Sequence, residues 1–169
     1  MTIAIDWPLD ANRIRRGMLN HTFGMVRRNS DGSRRPHQGW DFEAKPGTPC
    51  YAVADGQVVA VRNAGAYGLQ VVIRFLFDFD DDGDADPLFA FYAHLSRADV
   101  KTGDHVERGQ KIGETGNSGN ARGMRGADQH LHFELRTVPI AGRGLGNRYS
   151  PMAIFRHCPL DAPAERLAA

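Results

Sequence analysis

Through much of this chain, apolar and polar residues alternate with a period of two, the spacing of strands with one buried face; helical periodicity is scarce. Residues 68–77 and 88–95 read as a pair of strands separated by an acidic loop. Residues 50–54 and 57–61 flank Asp55-Gly56, a pattern that predicts a hairpin closed by a tight turn. Residues 129–137 supply another strand, while residues 100–113, punctuated by Gly103 and Gly109, predict short strands and turns. Short helices are expected at residues 10–18 and 151–157, the second with Ser150 as cap and Pro151 in its first turn. The fold class is therefore mainly β and antiparallel, with few short helices.

At 169 residues the chain is long enough for one hydrophobic core and short for two. Residues 19–158 are expected to form the domain, with residues 1–18 as an N-terminal extension and 159–169 as a C-terminal tail, frayed over residues 162–169. Lys and Arg total 21 against 20 Asp and Glu, interspersed, which removes the usual electrostatic basis for binding nucleic acid or an anionic membrane. No apolar run approaches the roughly 20 residues of a transmembrane helix, so no membrane insertion is expected. The start, Met1-Thr-Ile-Ala-Ile-Asp-Trp-Pro, lacks the basic and apolar regions of a Sec signal peptide, so a processed form or another export route is expected. Cys50 and Cys158 lack the close spacing of thiolate metal sites; a bridge between them is left open, and two small buried hydrophobes is the favoured reading.

Candidate chemistry lies on the strands. In His130-Leu131-His132 the two imidazoles project from one face, while Leu131, Phe133 and Leu135 project from the other. Ala90, Tyr92 and His94 share what reads as the polar face of their strand, opposite Phe89, Phe91, Ala93 and Leu95. The spacing of His37 and Asp41 suits a helical face, but Pro36 and Gly39 argue against helix there. A straight strand would hold their α-carbons roughly 13 Å apart, so a bend at Gly39 is expected to bring them together. Nitrogen and oxygen donors without thiolates, and more histidines than one ion needs, suit a catalytic zinc site that keeps one position open. The acidic loop at residues 78–86 partly matches a calcium loop, with Asp78, Asp80, Asp82 and Gly83 in place. Its twelfth position, however, is Phe89 in place of a bidentate glutamate, and a solvated hairpin tip is the favoured reading. Residues 114–126 are glycine-rich and are expected to form a mobile loop bordering the site.

Taken together, Phe23-Gly24, His37-Gln-Gly-Trp-Asp41-Phe42, Pro46-Gly47-Thr48-Pro49, Ala54-Asp55-Gly56-Gln57-Val58, Tyr92-Ala93-His94-Leu95, Val106-Glu-Arg-Gly109-Gln110, Gly113-Glu-Thr-Gly116 and His130-Leu-His132-Phe133-Glu134 carry a resemblance. Over residues 22–155 the chain resembles the lysostaphin-type (LytM-like) zinc metallopeptidases, which cut peptide bonds in bacterial peptidoglycan. The resemblance implies an antiparallel β domain with an open groove lined by loops. It also implies that His37, Asp41 and His132 bind one Zn²⁺, leaving His94 and His130 as the catalytic histidines. One would take a proton from water and pass it to the leaving amine; the other would stabilise the tetrahedral intermediate. The implied partners are peptidoglycan stem peptides, with the D-alanine to diaminopimelate cross-link favoured over glycine bridges and a carboxypeptidase activity as an alternative. A non-catalytic binding or activator module and a zinc-stabilised structural domain are the competing classes. The module is disfavoured because all five family positions are filled, and the structural domain because it leaves His94 and a spare histidine unexplained. Compact size without a leader further suggests a secreted antibacterial effector delivered to the periplasm or cell wall, with an immunity protein as partner, or a phage lysin.

Overall fold

In the computed structural model, which describes residues 4–167, thirteen strands and one short helix are found. The strands are β1 (Ala11–Asn12), β2 (Gly24–Arg28), β3 (Arg34–His37), β4 (Trp40–Glu43), β5 (Pro49–Tyr51), β6 (Gly56–Ala64) and β7 (Gly68–Phe77). They continue with β8 (Asp86–Ala98), β9 (His105–Val106), β10 (Lys111–Thr115), β11 (His130–Arg136), β12 (Arg148–Tyr149) and β13 (Ala164–Glu165); the helix α1 (Met152–Phe155) lies between the last two. Every pairing is antiparallel. The long strand β8 organises the main sheet. One of its edges pairs with β7 from Asp86 to Leu95, while the other pairs with β11 up to Ala93 and with β10 from Leu95. Strand β11 in turn carries β4 and β12 on its far edge.

Alternation along β11 sends Leu131, Phe133 and Leu135 into the main core and leaves His130, His132 and Glu134 on the opposite face. That core includes Trp40, Phe42 and Tyr92, against which Trp7 and Phe155 stack with centroids 4.3 Å apart. Between β3 and β4, Gly39 is needed for close approach more than for a special dihedral: a Cβ there would lie 2.1 Å from the Phe133 carbonyl oxygen. Gly39→Ala is accordingly expected to lower unfolding free energy by about 3 kcal/mol through forced separation of β4 from β11, read from the urea midpoint.

Several expectations need correcting. Asp55-Gly56 does not close a hairpin: β5 pairs with β10, and β6 pairs with β7 and β9. The backbone between β5 and β6 finds other partners, with Ala52 bonded to Gln110 and Gly109, and the Val53 amide donating to the Tyr92 hydroxyl. Residues 10–18 contain no α-helix. The Asn12 side chain ties the backbone of Leu9 and Ala164, and Arg15–Gly17 makes one 3-10 turn with Arg16 and Gly17 at positive φ. The expected helix at 151–157 shortens to Met152–Phe155, with the Ser150 hydroxyl accepting from the Met152 amide. The terminal segments read as extension and tail are joined, because β1 pairs with β13 and both Leu9 and Ile14 are buried in the main core; Met1–Ile3 and the last two residues lie outside the described part.

Cys50 and Cys158 are unpaired, the first fully buried and the second partly so. Burial pushes the Cys50 thiol up to about 12. A disulfide-exchange reagent should therefore titrate Cys158 alone in the native protein and both thiols in denaturant; two rapidly reacting native thiols would contradict this packing.

Candidate active site

Four strands, β3, β4, β8 and β11, bring the five polar candidates together. In register, His132 of β11 faces Asp41 of β4 on one side and Ala93 of β8 on the other. The chain turns between β3 and β4, so His37 swings back over Asp41. The resulting distances are 2.8 Å from His132 Nδ1 to Asp41 Oδ1, 3.1 Å from His37 Nε2 to the same oxygen, and 3.4 Å between the two nitrogens. Ligands about 2.0–2.1 Å from a tetrahedral zinc ion stand roughly 3.3 Å apart, close to the sides of this triangle.

Hydrogen bonding decides which atoms point inward. His37 Nδ1 donates to the Thr22 carbonyl at 2.8 Å, so its Nε2 carries the lone pair. His132 Nε2 donates to Glu134 Oε1 at 2.9 Å, which aims Nδ1 at Asp41. Two imidazole nitrogens and a carboxylate oxygen thus converge, a donor set that fits a cation. Although burial opposes its charge, hydrogen bonds to Asp41 and Glu134 push His132 up to about 9. Burial likewise opposes ionising Asp41, but the neighbouring imidazoles hold its carboxyl well below the usual range.

His94 reaches this site by a route that simple alternation does not give. Tyr92 belongs to the main core, with its hydroxyl donating to the Tyr51 carbonyl, so the reading that placed Tyr92 and His94 together on a polar face is overturned. The register of β8 against β7 slips between Leu69 and Val71, whose partners are Leu95 and Tyr92, and His94 has φ of 60°. That bulge rotates His94 onto the face carrying His130 and His132, at the point where β8 leaves β11 for β10. A non-glycine residue in this region carries backbone strain of order 1–3 kcal/mol, which the surrounding sheet sustains.

His94 Nδ1 donates to the Ser118 carbonyl at 2.9 Å and His130 Nδ1 to the Asp128 carbonyl at 2.8 Å, leaving each Nε2 as an acceptor. His130 Nε2 lies 3.6 Å from Asp41 Oδ1, beside the convergence point. Burial and the neighbouring imidazoles of His132 and His130 lower His94 to about 4; burial also lowers His130 and His37. All five side chains line one open pocket of about 190 Å³. The glycine-rich segment borders it through Asn120 and Met124, and is fastened by Ser118, whose hydroxyl accepts from the Leu69 amide and donates to the Leu95 carbonyl.

The sequence reading missed the residues that hold these groups in place. Glu134 is fully buried and takes hydrogen bonds from His132, Tyr67, Arg136 and Arg148. Its signal was available: an acid two residues beyond His132 must share that histidine's face. Arg27 Nη2 donates to Asp41 Oδ2 at 2.8 Å, and His21 Nδ1 lies 3.3 Å from the same atom. At the acidic loop Asp78, Asp80 and Asp82 approach one another within 4.8 Å, while Phe89 lies within β8 and offers no ligand atom.

The antiparallel β domain thus carries a buried His-Asp-His donor set that could hold a metal ion, the arrangement of a candidate metallopeptidase. The chain belongs to peptidase family M23, whose model matches residues 35–147. It is 41% identical over 100 residues to the peptidoglycan DD-endopeptidase ShyA of Vibrio cholerae, covering 59% of this chain and 20% of that protein. It is 36% identical over 102 residues to the DD-carboxypeptidase/endopeptidase Mpg of Neisseria meningitidis, covering 60% and 20%. The chain thus spans about a fifth of the length of these curated relatives. Among solved structures, a zinc-containing peptidase from Vibrio cholerae superposes with TM-score 0.60 at 32% identity, over 78% of this chain and 36% of that one. The catalytic domain of lysostaphin from Staphylococcus simulans superposes with TM-score 0.58 at 28% identity, over 80% and 90%. No helix among the described residues is long and apolar enough to cross a membrane.

Proposed function

We propose that this domain is a zinc-dependent endopeptidase of peptidoglycan, with the D-alanine to diaminopimelate cross-link as its substrate. The observation that carries the reading is the convergence of His37 Nε2, Asp41 Oδ1 and His132 Nδ1 beside two imidazoles anchored through Nδ1 to backbone carbonyls. Zinc bound there would polarise the scissile carbonyl and ease loss of a proton from water. The chain's own residues do the rest. His130 or His94, neutral at working pH and oriented through Nδ1, accepts the water proton at Nε2 and delivers it to the departing amine. The other stabilises the oxygen that gains negative charge. Glu134 holds His132 in the tautomer that presents Nδ1.

The DD-endopeptidase relatives support the direct cross-link over glycine bridges. Incubation with diaminopimelate-cross-linked dimers and with glycine-bridged fragments, read by mass spectrometry, assigns the bond: monomers from the former alone are expected, and cleavage of only the latter would contradict the assignment. The site of action proposed is the periplasm or cell wall. A delivered antibacterial role, opposed in the producer by an immunity protein that plugs the groove, predicts that periplasmic expression lyses cells lacking that partner; unharmed growth would count against it.

A further inference from the structure

We propose that Arg35 is a substrate-binding residue that receives the free carboxylate on the residue supplying the scissile nitrogen. This rests on the peptidoglycan reading above and narrows it to one chemical feature of the substrate.

The argument starts at the hairpin of β2 and β3. Arg27 lies directly opposite Arg35, and Arg28 opposite Arg34. Like charges facing each other across a strand pair destabilise it, so two such pairs in succession are a cost without benefit to the fold. The neighbouring cations are already engaged. Arg27 is held by Asp41 and the Asn20 carbonyl, and Arg15 by Asp128 at 2.7 Å. Arg35 has no acidic partner among the described residues, is exposed, and lines the active-site pocket. It stands two residues before His37 on the same strand and therefore shares its face. Arg28 and Arg34 do not line that pocket. The pocket's acid, Asp41, is committed to the histidines and Arg27, so Arg35 leaves positive charge uncompensated beside the reacting centre.

The chemistry that such a group recognises is a carboxylate, taken bidentately by guanidinium. In a D-alanine to diaminopimelate cross-link, the carbon attached to the scissile nitrogen carries a free carboxylate. Terminal D-alanine of an uncross-linked stem carries the same group at the same place. Inside a glycine bridge that position holds an amide carbonyl with no charge. Arg35 thus selects between wall chemistries by a group next to the broken bond, whether the source is a cross-link or a stem terminus.

The test is calorimetric binding to zinc-loaded His130→Ala protein, which prevents turnover. The ligands are the cross-linked dimer and the stem pentapeptide, each with that carboxylate free or converted to the amide. The free acid should bind about tenfold or more tightly than its amide, as expected for a charge-assisted hydrogen bond. Adding Arg35→Gln should abolish this preference, whereas Arg34→Gln, which removes the same charge from the same hairpin outside the pocket, should retain it. A preference for the dimer, the pentapeptide or both identifies the source. Equal affinity of acid and amide, a preference that survives Arg35→Gln because the metal alone attracts the acid, equal loss in Arg34→Gln, or no binding of any ligand would each overturn the proposal. Cleavage by zinc-loaded native protein reports separately on the reading beneath it. Acid-selective binding without cleavage would fail that reading alone, and cleavage without acid selectivity would fail only the role of Arg35.

Discussion

Glu134→Ala is expected to destabilise the domain by about 3–5 kcal/mol, because it removes the shared anion from two buried guanidinium groups. Arg136 Nε and Arg148 Nε stand 2.6 and 2.7 Å from Glu134 Oε2, and both arginines are buried in a strand network with little access to water. Among the described residues each has an Nη2 atom without a hydrogen-bond partner, so no other acceptor lies ready for the Nε groups when the carboxylate goes. His132 loses the acceptor that fixes its ring, and metal affinity should fall by about 10–100-fold, as is usual when the group orienting a ligand is removed. Glu134→Gln should lose less stability, since one amide oxygen still accepts from an arginine. Equilibrium urea unfolding measures the first effect and zinc titration the second. An alanine variant within 1 kcal/mol of the native protein would show that the two arginines find water or other acceptors.

The second large effect divides the five site residues by role. Asp41→Ala, His37→Ala and His132→Ala should each lose zinc and activity together, because each removes one corner of the donor triangle. His130→Ala should keep one zinc per chain while turnover falls by about 10²–10⁴-fold, the range for loss of a positioned general acid or base. His94→Ala should behave similarly if its Nε2 acts on the reacting atoms. Metal analysis of the purified variants alongside hydrolysis rates separates the two groups. A metal-free His130→Ala would move that residue among the ligands, and a zinc-replete Asp41→Ala would break the assignment of the triangle.

How legible this was in the sequence depended on whether local spacing carried the contact. His130 and His132 could be placed on one face because β11 is regular and its intervening residues are apolar core. The bend between His37 and Asp41 was also readable, since Pro36 and Gly39 exclude a helix, although the reason for glycine at 39, the Phe133 carbonyl pressed against it, lies in a strand far along the chain. His94 was placed at the site on reasoning that the fold reverses. Strict alternation would bury it with Tyr92, and only the bulge at positive φ turns it outward. A bulge leaves no trace in periodicity. Asp55-Gly56 is ambiguous for a related reason: a turn-forming pair need not close a hairpin, and here the strand before it pairs with β10. Arg148 and Arg27 could not be linked to Glu134 and Asp41 from spacing, because they arrive from separate strands.

The measurement that tests the central claim most directly is digestion of purified diaminopimelate-type sacculi by the zinc-loaded protein, by the same protein after chelation, and by zinc-loaded His130→Ala, with products resolved by chromatography and mass spectrometry. Conversion of cross-linked dimers to monomers by the zinc-loaded native protein alone is the predicted result. Intact dimers despite one bound zinc per chain, with glycine-bridged walls equally untouched, would contradict the account and leave a wall-binding module in place of an enzyme.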